Sequence, residues 1–221
     1  GALALKLRVH ERIHPRVVAI PHGWWLPEQP GDQLPAKPEV KSMKAAEIAR
    51  RAHFLENHDE PRAHARLPYD AHRGAALLTL SLPGLRLLHD GQLEGRRRFA
   101  RIQLQRRLHE EPDPAVVAIY DALFAVLQDT AIGRGRCDVV ATTPAWDGNT
   151  SHGAFTILQW QADDDAGHFD LVVVNHADHR AQCFARLTAR GLGGGAWRLA
   201  DALGHEQYER GGDELVDKIG R

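Results

Sequence analysis

The spacing of apolar residues changes near residue 130, and the chain divides there. Between residues 44 and 128, helical and strand spacings alternate. Lys44 to Arg51 reads as a short helix, His53-Phe54-Leu55 as a brief strand, and Glu56 to Pro61 as a polar turn. Asp70 to Leu80 has an Ala/Leu-rich helical face, Pro83-Gly84 is a turn, and Leu85 to Leu88 reads as a buried strand. Pro114 to Gln128 is an amphipathic helix with Val117, Ile119, Leu123, Phe124, Val126 and Leu127 on its apolar side, and Pro114 suits its first turn. Helix alternating with strand is the pattern of a parallel α/β layer. Beyond Ile132–Arg136 the runs shorten and become rich in Val, Ile, Phe and Trp: Asp138 to Thr142, Phe155 to Gln161, Phe169 to Asn175, Cys183 to Leu187 and Trp197 to Leu199. Gly/Asp/Asn turns separate them, as in an antiparallel β-sandwich. The expected fold class is therefore α/β followed by all-β.

The first 43 residues follow neither pattern. Val17-Val18-Ala19-Ile20, bounded by Pro15 and Pro21, reads as strand. Residues 27–43 hold four prolines and little to pack, and read as a linker. Composition adds bounds. With 43% hydrophobic and 26% charged residues the chain has an ordinary globular balance, and a formal net charge of -1 argues against a dedicated nucleic-acid partner. No apolar run reaches the ~18 residues of a membrane span, and Lys6 and Arg8 break any signal-peptide pattern, so a cytoplasmic protein with no membrane partner is expected. The five lysines against 23 arginines read as coding bias. Cys137 and Cys183 could pair, but make neither a disulfide framework nor a zinc cluster and are expected to be two buried free thiols.

The densest polar cluster is Phe54-Leu55-Glu56-Asn57-His58-Asp59-Glu60-Pro61-Arg62, directly after a strand of the α/β half. An amide, an imidazole and a carboxylate in three consecutive residues can grip vicinal hydroxyls by hydrogen bonds. The same residue types also make a turn that caps the next helix.

This segment resembles the strand-seven motif of the alpha-amylase superfamily, glycoside hydrolase family 13, whose core is Asn-His-Asp after a short apolar strand. Gly74 to Gly84 resembles the helix and turn leading to the eighth barrel strand, Leu85 to His89 that strand, and Gly91-Gln92-Leu93-Glu94-Gly95 the segment after it. Phe155 to Trp160, Leu171 to Asn175 and Trp197 to Arg210 resemble the family's C-terminal β-domain. The resemblance covers about residues 50–221 and implies the C-terminal portion of a (β/α)8 barrel, strands seven and eight in residues 44–130, followed by an incomplete antiparallel β-sandwich in residues 131–221. It implies a retaining glycosidase acting on α-glucosidic bonds, with an α-glucan or oligosaccharide as partner. Asp59 is then the transition-state-stabilising carboxylate, and His58, Asn57 and Arg62 are substrate-binding, with Asn57 bracing the turn. No metal or other cofactor is implied. A retaining mechanism also needs a nucleophile and an acid/base about 5–5.5 Å apart. Nothing in the sequence matches the segment that supplies either group, and no Gly-Phe-Arg-x-Asp segment is present, so the chain is expected to be inert alone.

Residues 8–25, ending Pro21-His22-Gly23-Trp24-Trp25, resemble a stretch of the cofactor-binding domain of molybdopterin oxidoreductases, so residues 1–26 are expected to form a foreign leader. A molybdopterin-dependent oxidoreductase fragment is one alternative. A non-catalytic carbohydrate-binding module using Asp59 and Trp160 is the other. His10-Glu11-Arg12-Ile13-His14 matches the zinc-protease pattern formally, but Pro15 disfavours the helix it needs, so no zinc site is expected. Arg96-Arg97-Arg98 is expected to be a solvated loop. A complete barrel takes about 250 residues. The shorter length, the lack of an initiator Met and the family's further strand beyond the position of Arg221 lead us to expect a truncated piece.

Overall fold

The computed structural model describes residues 3–9, 44–99, 109–163, 167–204 and 206–217. Most of the expected leader and linker therefore lies outside the described residues, as do Trp24, Trp25 and the His10–His14 pattern.

In the α/β half, α1 (Ala45–Ile48) leads into β2 (Ala52–His53), followed by α2 (Ala63–Arg66), α3 (Tyr69–Ser81) and β3 (Leu85–Arg86). β1 (Leu3–Val9) precedes them. β2 and β3 run parallel, with Ala52 opposite Leu85 and His53 opposite Arg86. They form a two-stranded sheet, and no sheet closes among the described residues. α4 (Pro114–Gln128) starts where the Asp113 carboxylate accepts from the N–H groups of Ala115 and Val116, at 2.9 and 3.4 Å, satisfying two donors of the first turn.

Two sequence expectations change here. Leu85 to Leu88 is not a buried strand: only Leu85 and Arg86 pair, and Leu85 is 66% exposed. Among the described residues β3 pairs with β2 alone, and Leu85, Leu87 and Leu88 are exposed, so no described layer covers them as it would a buried parallel strand. The buried face of α4 is Val116, Ile119, Tyr120, Leu123 and Val126, which includes Tyr120 and leaves Val117 half-buried. Tyr120 can be buried because its hydroxyl has partners, described below.

The β-rich half is built on β4 (Arg136–Val140), β6 (Phe155–Gln161), β7 (Phe169–Asn175), β9 (Ala196–Ala200) and β10 (Gln207–Gly211). Together with β1 they form a six-stranded mixed sheet in the order β10-β9-β1-β7-β6-β4. β1 lies between β9 and β7 and is parallel to both; the remaining pairs are antiparallel. The second layer of the expected sandwich is small: β5 (Thr142–Thr143) and β8 (Phe184–Ala185) form an antiparallel ribbon.

The apolar residues of β6 and β7 alternate between two cores. Leu158, Trp160, Val172 and Val174 pack with α3 and α4, around Leu77, Leu78 and Leu123. Ile157, Phe169 and Leu171 face the opposite side and pack with Ala185, Leu187, Leu192 and Leu215, the last from α5 (Gly212–Asp217). Both faces are covered, which explains runs apolar at consecutive positions. Trp160, 2% exposed, donates its indole N–H to the Ser81 carbonyl at 3.0 Å. That bond ties the sheet to the end of α3, directly before the turn into β3.

Candidate functional site

The register of β2 and β3 builds the site. His53 pairs with Arg86, so Glu56 and His89, each three residues further on, stand at the same level beyond the C-terminal ends of two parallel strands. His53 holds the other end of the pair: its Nε2 lies 3.1 Å from the Ile48 carbonyl and 2.9 Å from that of Pro83. Burial lowers its pKa and favours the neutral ring. Gly84, at φ +121, turns the chain into β3, and a Cβ there would meet the Arg51 carbonyl at 2.6 Å.

The loop after β2 is closed by two clasps. In the inner one, the Asn57 side-chain oxygen accepts from the N–H groups of Asp59 and Glu60, at 2.8 and 3.0 Å. This Asx-type turn fixes the backbone that carries His58 and Asp59. In the outer one, Glu56, 1% exposed, accepts from Arg62 Nη1 at 2.5 Å and from the Ala63 N–H at 2.6 Å. Arg62 is itself 5% exposed and reaches on to His89 Nδ1 at 2.7 Å and the Arg98 carbonyl at 3.4 Å. A buried ion pair with hydrogen bonds on both partners is the arrangement that tolerates burial of charge. His58 and Asp59 stand outside the clasps, their side chains 52% and 68% exposed and 3.2 Å apart.

Of the sequence-derived candidates, Asn57, His58 and Asp59 thus sit together at a strand end. Arg62 lies beneath them, turned inward to Glu56 and His89 rather than outward to solvent. Behind His89 a polar chain enters the helical core. The His89 N–H donates to Gln92 Oε1 at 3.2 Å, Gln92 Nε2 donates to the Tyr120 hydroxyl at 2.9 Å, and that hydroxyl lies 3.0 Å from His72 Nε2. The Tyr120 hydroxyl thus accepts from Gln92 and shares a second hydrogen bond with the His72 ring. Burial, aided by nearby His64, pulls the His72 pKa down to about 4, and burial pushes the Tyr120 hydroxyl up. His64 bonds Asp113, the α4 cap, at 3.1 Å.

Glu56, His89, Gln92 and Tyr120 carry little sequence signal, because their contacts join segments far apart in the chain. The one usable clue is the placement of Glu56 and Arg62 on either side of the Asn-His-Asp triplet. Trp160, which the binding-module alternative would use, is buried, and the exposed tryptophan among the described residues is Trp146, at 55%. The N–H groups of Arg97 and Arg98 donate to the Glu110 carboxylate, at 3.0 and 3.1 Å, so this basic run is anchored through its backbone. Among the described residues, no group of three or more His, Cys, Asp or Glu side chains is placed to hold a metal ion, and no helix is long and apolar enough to cross a membrane.

No protein-family model matches the chain, and no curated protein matches it. Among solved structures it is similar to a noncanonic maltogenic alpha-amylase, AmyB from Thermotoga neapolitana, with a TM-score of 0.54 at 14% identity. The match covers 77% of this chain and 38% of that one. At that identity the likeness is one of fold, and this chain spans under two-fifths of the amylase's length. The resemblance of residues 8–25 to molybdopterin oxidoreductases finds no support in these comparisons.

Proposed function

We propose that the chain carries one edge of the substrate site of an alpha-amylase-like retaining glycoside hydrolase acting on α-glucosidic bonds. The observation that carries this reading is the clasped loop. An exposed imidazole–carboxylate pair, His58 and Asp59, stands at the C-terminal end of a strand, next to a second parallel strand. That end of a parallel α/β layer is where catalytic groups gather in barrel enzymes. The fold-level likeness to a maltogenic alpha-amylase gives independent support.

In this reading Asp59 faces the positive charge that develops on the sugar ring, and His58 hydrogen-bonds a hydroxyl of the same ring. Asn57 sets the turn between them. Arg62 acts on the sugar through the loop it holds, and is a positioning residue. The double displacement needs a carboxylate nucleophile and a carboxylic acid/base. With no Gly-Phe-Arg-x-Asp segment in these residues to supply the nucleophile, the 221-residue chain binds glucan without turning it over. Calorimetric titration with maltooligosaccharides tests this. The wild type is expected to bind and release no reducing sugar, and Asp59→Asn to bind at least about tenfold more weakly through the loss of a charged hydrogen bond. Equal affinity in the variant, or hydrolysis by the wild-type chain, would refute the assignment.

A further inference from the structure

We propose that His89 is a substrate-binding residue of this site, held by Arg62 in the tautomer that presents its Nε2–H to a sugar hydroxyl. The ligand rests on the glucan reading above; the tautomer follows from hydrogen bonding alone. Arg62 Nη1 lies 2.5 Å from a Glu56 oxygen and 2.7 Å from His89 Nδ1. A guanidinium only donates. At that distance His89 Nδ1 accepts and carries no proton, so the ring proton sits on Nε2. Glu56 holds the guanidinium in place for this contact, and its carboxylate, 3.5 Å from the same Nδ1, makes no hydrogen bond to the ring.

The outer nitrogen points away from this clasp. The His89 side chain is 26% exposed, and its Nε2 has no hydrogen-bond partner among the described residues. The backbone beneath is fixed from both directions, by the His89 N–H bond to Gln92 and by the Gln92 N–H bond to the His89 carbonyl at 2.9 Å. Gly91, at φ +85, permits the tight turn, and a Cβ there would meet Arg96 Cδ at 2.5 Å and Arg62 Nη2 at 3.1 Å. His89 is therefore a neutral donor of set orientation at the end of β3, as Asp59 is an exposed acceptor at the end of β2. A sugar ring carries several hydroxyls that both donate and accept, and suits a donor and an acceptor at neighbouring strand ends.

The test is ring-nitrogen NMR of the 221-residue chain, with and without maltooligosaccharides, together with two variants. His89→Gln places an amide N–H near the position of Nε2. His89→Asn places its amide near Nδ1, keeping an acceptor for Arg62 but losing the outer donor. The expected result is a protonated Nε2 that shifts with glucan, near-native binding in the Gln variant, and about tenfold weaker binding in the Asn variant. A protonated Nδ1, or equal binding by both variants, overturns the proposal. Glucan shifts at the Asp59 amide without any at His89 Nε2 overturn it while sustaining the glucan reading. Shifts at neither overturn both.

Discussion

Breaking the Glu56–Arg62 pair tests the clasp that holds the candidate site. Both side chains are buried, at 1% and 5% exposure, and 2.5 Å apart. Arg62→Met removes the guanidinium and leaves the Glu56 carboxylate with one described donor, the Ala63 N–H. An uncompensated buried charge of this kind costs about 3–5 kcal/mol. Glu56→Gln keeps an acceptor for Ala63 but strands the Arg62 charge, at a similar cost. The double variant removes both charges and is expected to cost well under the sum of the two, giving a coupling of at least about 2 kcal/mol. Urea unfolding reads this directly: with a slope of about 2 kcal/mol/M, each single variant lowers the midpoint by about 1.5–2.5 M. Additive single effects would refute the clasp, as would single variants within about 0.5 kcal/mol of wild type, the range of ordinary surface substitutions.

His72 has a folded pKa of about 4 against 6.5 for the free side chain, so between those values the unfolded chain binds more protons and stability falls as pH falls; the loss is at most about 3 kcal/mol. His72→Phe is expected to reduce the slope across that window, which His53 shares, and an unchanged profile in the variant would contradict the assignment. Trp160→Phe deletes the indole bond to Ser81 and should destabilise by about 1–3 kcal/mol while leaving glucan binding unchanged; a binding defect at full folding would restore Trp160 as a contact. Burial, reinforced by Asp138, pushes the Cys137 thiol up to about 12, whereas Cys183 is only partly buried. Ellman's reagent should therefore label Cys183 in the native protein and Cys137 only after denaturation, and rapid native labelling of Cys137 would count against its buried position.

Where local pattern and tertiary burial agree, the chain is readable from its residues. Phe155–Gln161 and Phe169–Asn175 emerge with the boundaries their apolar runs suggest, because both faces of these strands are covered. Leu85 to Leu88 misleads for the converse reason, as an apolar run says nothing about whether a second layer arrives. Gln207–Gly211 has too little apolar content to announce itself, and pairs as an edge strand beside β9. At the site, Asn57, His58 and Asp59 stand out because they are adjacent in sequence. Glu56 and His89 do not, since only the parallel register of β2 and β3 brings them within 3.5 Å. Arg62 shows the limit of a motif: its position in the string suggests contact with substrate, while the structure shows it buried against Glu56 and His89.

In the proposed function, the loops after β2 and β3 together form one edge of an α-glucan site. Amide chemical-shift titration of the 221-residue chain, with maltooligosaccharides and with β-linked cello-oligosaccharides, measures it most directly. Saturable shifts are expected at Asn57 to Arg62 and at His89 to Gln92 with the α-linked sugars alone, lost in Asp59→Asn. Shifts confined to the β-rich half, around Trp146 for instance, or equal shifts with both sugars, would contradict it.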